Sequence, residues 1–394
     1  MDEKPIPVRT ALMPLYYKDF HCIMGACQDN CCDDGWKIEF NKKDYLTIKR
    51  AVQGEELKEL MSQSLCRLRE KEHDGMYAEF RASEENRCAF HTPEGLCRLQ
   101  MECGAEALPA VCQFYPRRKV YSAAGLEYSL SPSCEGVLEL LWNLPEGVDF
   151  LEEPLARADW KTLRPTSPAA ARFADIRSLM IDALQERSLP LPQRMLLLGL
   201  LVQRLQRLDW AQEGVFDSWL QWARGTLSAP AAAQALRQMP RNRNMFINNN
   251  IYTLLQAMKA EGRTVINGEG KDIFSIDAAR YEAQEARLEE LLGHSEHFFE
   301  NLMVAVAFYI SFPTLRTPEE LWKSYVNLCN IYSVYRFSAV CAMGRGENRA
   351  SLFHVLVQIS RILLHSSIRQ SALRDEFFQN ESATLAHMAI LLDG

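Results

Sequence analysis

The sequence predicts a mainly α protein, in which an irregular cysteine-rich N-terminal region packs on an all-α helical C-terminal array. Three observations predict it. Ten of the twelve cysteines fall within the first 134 residues. Glycine and proline break up that same stretch, at Gly25, Gly35, Pro93, Gly95, Gly104, Pro109, Pro116 and Pro132. From about Pro165 onward, apolar residues recur at steps of three and four, the spacing that gathers them on one helix face. The expected division is therefore residues 1–150 and residues 151–394.

In the first region, Lys42 to Arg69 reads as helix, with Tyr45, Ile48, Leu57, Leu60 and Leu65 at partly helical spacing. Glu102 to Cys112 reads as a short helix ending ahead of Tyr115-Pro116, because the residue before a proline is disfavoured in the α region. Tyr121 to Leu130 reads as a small hairpin around Gly125. In the second region Thr166 to Arg187 places Phe173, Ile176, Met180 and Leu184 on one face. Leu191 to Leu208 follows, with Pro190 and Pro192 where a helix start tolerates them. Further helices are expected at Phe216–Leu227, Ala231–Gln238, Asn249–Ala260, Ser275–Leu292, Phe298–Ile310, Pro318–Met343, Arg349–His365 and Glu381–Leu392. Asn242 to Asn250 reads as a polar loop. Alternating strands are scarce, and no repeat of fixed period is present.

Composition excludes several classes. The opening segment MDEKPIPVRT has no apolar core of a signal peptide, and no stretch approaches the roughly 20 apolar residues of a membrane span. The expectation is a soluble, cytoplasmic protein with no membrane partner. A net charge of -7 argues against a nucleic-acid partner, which calls for basic excess. In a reducing cytosol structural disulfides are rare, so clustered thiols point to metal or redox chemistry and make the N-terminal region a metal-binding one.

The first thiol block is Cys22-x4-Cys27-x3-Cys31-Cys32, four thiols within eleven residues, with Gly25 free to turn the loop between them. The second holds Cys88, Cys97, Cys112 and Cys134. Structural zinc usually employs two tight cysteine knuckles, and only Cys27-x3-Cys31 has that form. Thiolates also hold iron–sulfur clusters, so spacing leaves zinc and iron both open. The C-x3-C-x2-C triplet of radical S-adenosylmethionine enzymes is missing. His21 and His91, beside motif cysteines, are secondary ligand candidates. Cys66, Cys103, Cys329 and Cys341 read as ordinary buried thiols.

The two blocks together carry a family resemblance. Cys22-x4-Cys27-x3-Cys31-Cys32-x3-Trp36, Cys88-x-Phe90, Gly95-Leu96-Cys97, Ala107-Leu108-Pro109, Cys112-x2-Tyr115-Pro116-Arg117 and Leu130-Ser131-Pro132-Ser133-Cys134-Glu135 resemble the flagellin lysine-N-methylase family. FENLMVAVAFYISFP, from Phe299 to Pro313, is a weaker echo of it. A looser similarity is to CxxCxxCC proteins, described as zinc- or iron-chelating. The resemblance implies a protein lysine N-methyltransferase that moves methyl groups from S-adenosylmethionine to surface lysines of flagellin and carries a [4Fe-4S] cluster. Carried over residue by residue, the metal-binding set is Cys22, Cys27, Cys31, Cys32, Cys88, Cys97, Cys112 and Cys134, more thiols than one four-iron cluster needs.

Methyl transfer to lysine requires a neutral amine, which calls for desolvation or a base. Tyr115, Tyr128 and Glu135 are the candidate bases. Arg117 and Trp36 are the candidate cofactor-binding residues, with Trp36 and Phe114 expected to cover the site and Arg117 equally able to pair with Asp33, Asp34 or Glu135. A glycine-rich nucleotide turn is represented only by Gly268-x-Gly270, so the methyl donor needs a site built in some other way. Two readings compete with the enzyme. One is a non-catalytic zinc- or iron-binding interaction module, and the other an iron–sulfur redox protein.

Overall fold

The structure, a computed structural model, describes residues 5–32, 38–68, 75–83, 87–229, 235, 242–260, 276–293, 295, 297–344, 346, 348–365 and 383–393. In chain order its strands are β1 (Ile6–Val8), β2 (Thr10–Pro14), β3 (Ile38–Phe40), β4 (Leu65–Arg67), β5 (Ala78–Phe80), β6 (Arg117–Ser122), β7 (Gly125–Leu130), β8 (Phe150–Pro154) and β9 (Lys161–Leu163). The helices are α1 (Lys42–Ala51), α2 (Glu55–Ser64), α3 (Arg98–Cys103), α4 (Ala110–Phe114), α5 (Glu135–Trp142), α6 (Pro168–Ala171), α7 (Phe173–Leu184), α8 (Leu191–Leu205) and α9 (Val215–Leu227). They continue as α10 (Arg243–Ala260), α11 (Ala278–Leu292), α12 (Phe298–Tyr309), α13 (Pro318–Ala342), α14 (Arg349–Leu364) and α15 (Leu385–Asp393).

The chain is mainly helical, as the apolar periodicity predicts, and the expected cut at residue 150 is not where its compact units divide. One unit takes Met1–Asp19, Lys119–Ser133 and Leu138–Gly394, and the other Phe20–Arg118 with Cys134–Val137. The reason is strand pairing. N-terminal β2 pairs parallel with β7 and antiparallel with β8, in a sheet ordered β6-β7-β2-β8, and β1 pairs antiparallel with β9. These short strands carry too little alternation to be read from the sequence, apart from the hairpin of β6 and β7, which turns just before Gly125.

In the helical unit, α12 is buried along its entire length. The 25-residue α13 is largely buried as well, and α11, α14 and α15 pack on it. Side-chain oxygens set the helix starts: Asp277, Thr317 and Asn348 each accept a backbone N–H three residues on, which satisfies a donor left over in the first turn. The expected loop at Asn242–Asn250 is helix instead. Asn242 accepts the N–H of Met245 at 3.2 Å, and Asn250, 1% exposed, exchanges hydrogen bonds of 2.9 and 3.1 Å with Ser333. The asparagines there serve as cap and buried partner, which composition alone reads as loop. Ala231–Gln238 falls almost wholly outside the described residues, and Gly268 and Gly270 entirely so.

The second unit is small and broken into short pieces. The expected helix from Lys42 to Arg69 is interrupted at Val52–Gly54, where Val52 and Gly54 are extended, and its end becomes β4. Gly104, at φ +86°, separates α3 from the segment leading to Pro109 and α4, so the helix expected from Glu102 to Cys112 is likewise split. An antiparallel sheet ordered β3-β5-β4 backs a core of Phe40, Ile48, Leu57, Phe80, Phe90 and Leu99, and Cys88, Cys97 and Cys103 pack against that core. Phe80 ties it together, with ring centroids 4.8 Å from Phe40 and 4.7 Å from Phe90.

Candidate metal centre

All ten N-terminal cysteines belong to the smaller unit, including Cys134, whose segment returns to it after fifteen residues spent in the other. No described cysteine is in a disulfide. Two glycines bring the thiol loops together. A Cβ on Gly25 would lie 2.4 Å from the carbonyl oxygen of Glu94, and one on Gly95 would lie 3.0 Å from the Cα of Gly25. Backbone bonds extend the seam: Cys88 N–H donates to the Cys32 carbonyl at 2.7 Å, and His91 and Cys97 form a β-bridge. Asn30 joins the same loops, donating to the Gly95 carbonyl at 3.0 Å and accepting the N–H of Cys32 at 2.9 Å.

Each of the eight motif thiols lies within electrostatic reach of at least one other. A hydrogen bond with the Cys31 thiol, then burial, then the like charges of Cys31, Cys88 and Cys97 push the Cys32 thiol far above its usual value. Burial first, then Cys88, Cys31 and Cys97, raises Cys112, and burial also raises Cys97. Cys134 is pushed up to about 12, by burial and then, against two backbone N–H groups that favour its thiolate, by Cys31 and Cys22. Burial, Glu135, Cys134 and Cys31 together raise Cys27. Cys31 therefore sits at the centre of the set. Cys66 and Cys103 stand apart: they are half-buried rather than buried, Cys66 accepting from Arg81 at 2.8 Å and Cys103 donating to the Ala51 carbonyl at 3.5 Å. Cys329 and Cys341 are core residues, as expected.

The thiols raised in this way, Cys27, Cys32, Cys97, Cys112 and Cys134, keep their protons until a cation takes their place, since coordination deprotonates a thiol outright. The donor chemistry, thiols only, suits a soft ion or an iron–sulfur cluster. Among the described residues, no three His, Cys, Asp or Glu side chains are already arranged as a metal cage.

The other candidates are placed as follows. The Arg117 guanidinium donates to the Phe20 carbonyl at 3.1 Å and lies 4.9 Å above the Phe20 ring. Tyr115 ends α4, and Phe114, expected to cover the site, is 61% exposed. Trp36, Asp33 and Asp34 lie outside the described residues. Tyr128 is on β7 in the helical unit, its ring 5.8 Å from that of Tyr17. Glu135 binds the first thiol loop directly, through Cys27, Gln28 and Asp29. Sequence reasoning missed two polar contacts. Asn30 has no motif signal beyond its place between cysteines. In the helical unit, Ser133 and Ser131 of the Leu130–Glu135 motif bond the Nε2 of His365 at 2.7 and 3.3 Å. Burial and Arg361 pull that histidine down to about 4, and its distance along the chain hid it.

Residues 177–391, more than half of the chain, match the family described as the FliB lysine N-methylase C-terminal domain. The chain belongs to the FliB-like lysine N-methylase family. Its curated relatives include proteins named lysine-N-methylase in Salmonella choleraesuis and Salmonella typhimurium. Each is 22% identical over 365 residues, covering 86% of this chain and 87% of the relative. A protein named flagellar biosynthetic protein FliU, of Salmonella muenchen, is 29% identical over 148 residues, 36% of this chain and 83% of that protein. No solved structure matches. In this FliB-like chain the family match lies wholly within the helical unit, and the thiol unit precedes it. Among the described residues no helix is long and apolar enough to cross a membrane.

Proposed function

We propose that this FliB-like protein is a protein lysine N-methyltransferase that transfers methyl groups from S-adenosylmethionine to surface lysines of flagellin, acting in the cytoplasm. The reading is supported above all by its likeness, along 86% of its length, to proteins named lysine-N-methylase. The flagellar substrate follows from the name of the FliU relative. The proposal extends to the cofactor, a [4Fe-4S] cluster held by four of Cys22, Cys27, Cys31, Cys32, Cys88, Cys97, Cys112 and Cys134. Were one of the four thiols to leave, such a cluster would supply an open iron able to take the amino acid end of the methyl donor.

The chain's own residues do the remainder. Arg117 and Trp36 are proposed to hold the donor, and Tyr115, Tyr128 or Glu135 to take the proton of the lysine. Anaerobic purification with iron and sulfide quantification, joined to transfer of labelled methyl from S-adenosylmethionine to purified flagellin, tests the whole. Labelled flagellin together with bound iron and sulfide is the expected result. Zinc without sulfide and without labelling establishes the non-catalytic module, and an intact cluster without labelling establishes the redox protein.

A further inference from the structure

Two remote stretches of the smaller unit meet on a single carboxylate oxygen. Oε2 of Glu135 accepts the N–H of Gln28 at 2.7 Å, the N–H of Asp29 at 3.1 Å and the S–H of Cys27 at 3.3 Å. Successive backbone N–H groups converging on one anion form a nest, the arrangement by which main chain holds negative charge. Asp29 is 7% exposed, so its amide is largely shielded from competing water. The neighbouring residue reinforces the junction: a Cβ on Gly136 would meet Phe20 at 3.5 Å and Ile23 at 3.6 Å, so that segment lies flat against the start of the first thiol loop. Asn30 then fastens the other end of the loop to Gly95 and Cys32.

We propose that Glu135 is a positioning residue for the thiol site. It pins the loop bearing Cys27, Cys31 and Cys32 beside Cys134, and its charge next to Cys27 lowers the reduction potential of a bound cluster. The pinning stands on the hydrogen bonds alone, and the potential rests on the proposed iron–sulfur reading. Gln28 and Asp29 reach Glu135 through backbone amides, so the bonds of the pin do not draw on their side chains. What the pin requires at position 135 is an oxygen acceptor at carboxylate reach. What the potential requires is the negative charge. Glu135→Gln separates the two, since its amide oxygen still accepts the N–H groups while the charge is gone, and Glu135→Ala removes both.

The test uses the full-length wild type, E135A and E135Q, purified anaerobically. In reduced, metal-free protein, iodoacetamide labelling is followed cysteine by cysteine by mass spectrometry. Loss of the charge beside Cys27 favours its thiolate and speeds labelling in both variants, and loss of the bonds to the loop speeds it roughly tenfold further in E135A than in E135Q, with Cys66 and Cys103 unchanged. With iron restored, E135A binds it on the order of tenfold more weakly. E135Q regains most of that binding and shows a higher cluster potential by spectroelectrochemistry. Wild-type labelling of Cys27 in E135A, or E135Q labelling as fast as E135A, overturns the pin. An unchanged potential in E135Q overturns the charge role, and that measurement stands even where E135A fails to fold. Failure of the wild type itself to take up iron and sulfide defeats the cluster reading, while the labelling comparison still decides the pin.

Discussion

Gly25→Ala is the sharpest probe of the junction between the thiol loops. The added Cβ would stand 2.4 Å from the Glu94 carbonyl oxygen, about 1 Å inside the roughly 3.5 Å at which non-bonded heavy atoms pack best. The obstacle is backbone, so no side-chain rotation relieves it. Overpacking of this kind costs about 1–3 kcal/mol, and the stiffer unfolded chain of alanine returns at most about 1 kcal/mol. The net is a destabilisation of ~1–2 kcal/mol, or a fall in Tm of ~2–8 °C at about 2–4 °C per kcal/mol. Gly225→Ala is the matched control. It lies inside α9 with nothing within 4 Å of its Cβ position, so alanine there is expected to stabilise by about 1 kcal/mol. Urea and thermal unfolding of the metal-free protein measure both. A Gly25→Ala protein as stable as wild type, alongside a stabilised Gly225→Ala protein, refutes the close approach of the two thiol loops.

Other substitutions test other parts of the molecule. Cys31→Ser is expected to abolish iron uptake while Cys66→Ser and Cys103→Ser leave it at the wild-type level, as read by iron and sulfide content, because Cys31 acts on thiols of both blocks, Cys27 and Cys32 as well as Cys97, Cys112 and Cys134. Arg177 and Glu127 form an ion pair at 2.6 Å with side chains only 4% and 1% exposed. Arg177→Met strands the carboxylate at a cost of about 3–5 kcal/mol, and adding Glu127→Leu recovers most of it; urea midpoints of the single and double variants check this. Cys329 is fully buried, which lifts its thiol from 9.0 to about 12, with its bond to Tyr325 opposing. Because the folded value is the raised one, the thiol's contribution to stability is complete below pH 9 and lost between pH 9 and 12, at about 1.4 kcal/mol per pH unit. Cys329→Ala is expected to flatten that alkaline decline, measured by unfolding at a series of pH values.

The helices were legible wherever apolar periodicity ran long. The helices expected at Phe298–Ile310 and Pro318–Met343 appear as α12 and α13, the first buried throughout and the second over most of its length. The strands were not, because β1, β3, β4, β5 and β9 are three residues each, too short for a period of two to register. Polar residues misled where their partners are remote. The hydrogen bonds that turn Asn250 into a core residue come from Ser333, 83 positions away, and those that occupy Glu135 come from a loop more than a hundred positions earlier. In the thiol region the eight motif cysteines are carried over from the family resemblance, and Cys66 and Cys103 are set apart because they lie outside its motif positions. The roles of Gly25 and Gly95 were half visible. Composition marks a turn at each, and only the fold reveals that they touch.

The return of Cys134 to the smaller unit, after the chain has spent residues 119–133 elsewhere, bears on when the site comes into being. Synthesis proceeds from the N-terminus, so the first thiol block leaves the ribosome more than a hundred residues ahead of the carboxylate that pins it. Until Glu135 emerges, the loop bearing Cys27 lacks the carboxylate that bonds Gln28 and Asp29. Metal delivered during that interval meets thiols without their frame, whereas metal delivered afterwards meets all eight at once. On the proposed cluster reading, the order of residues along the chain thus favours insertion of the metal after translation of the thiol unit is complete.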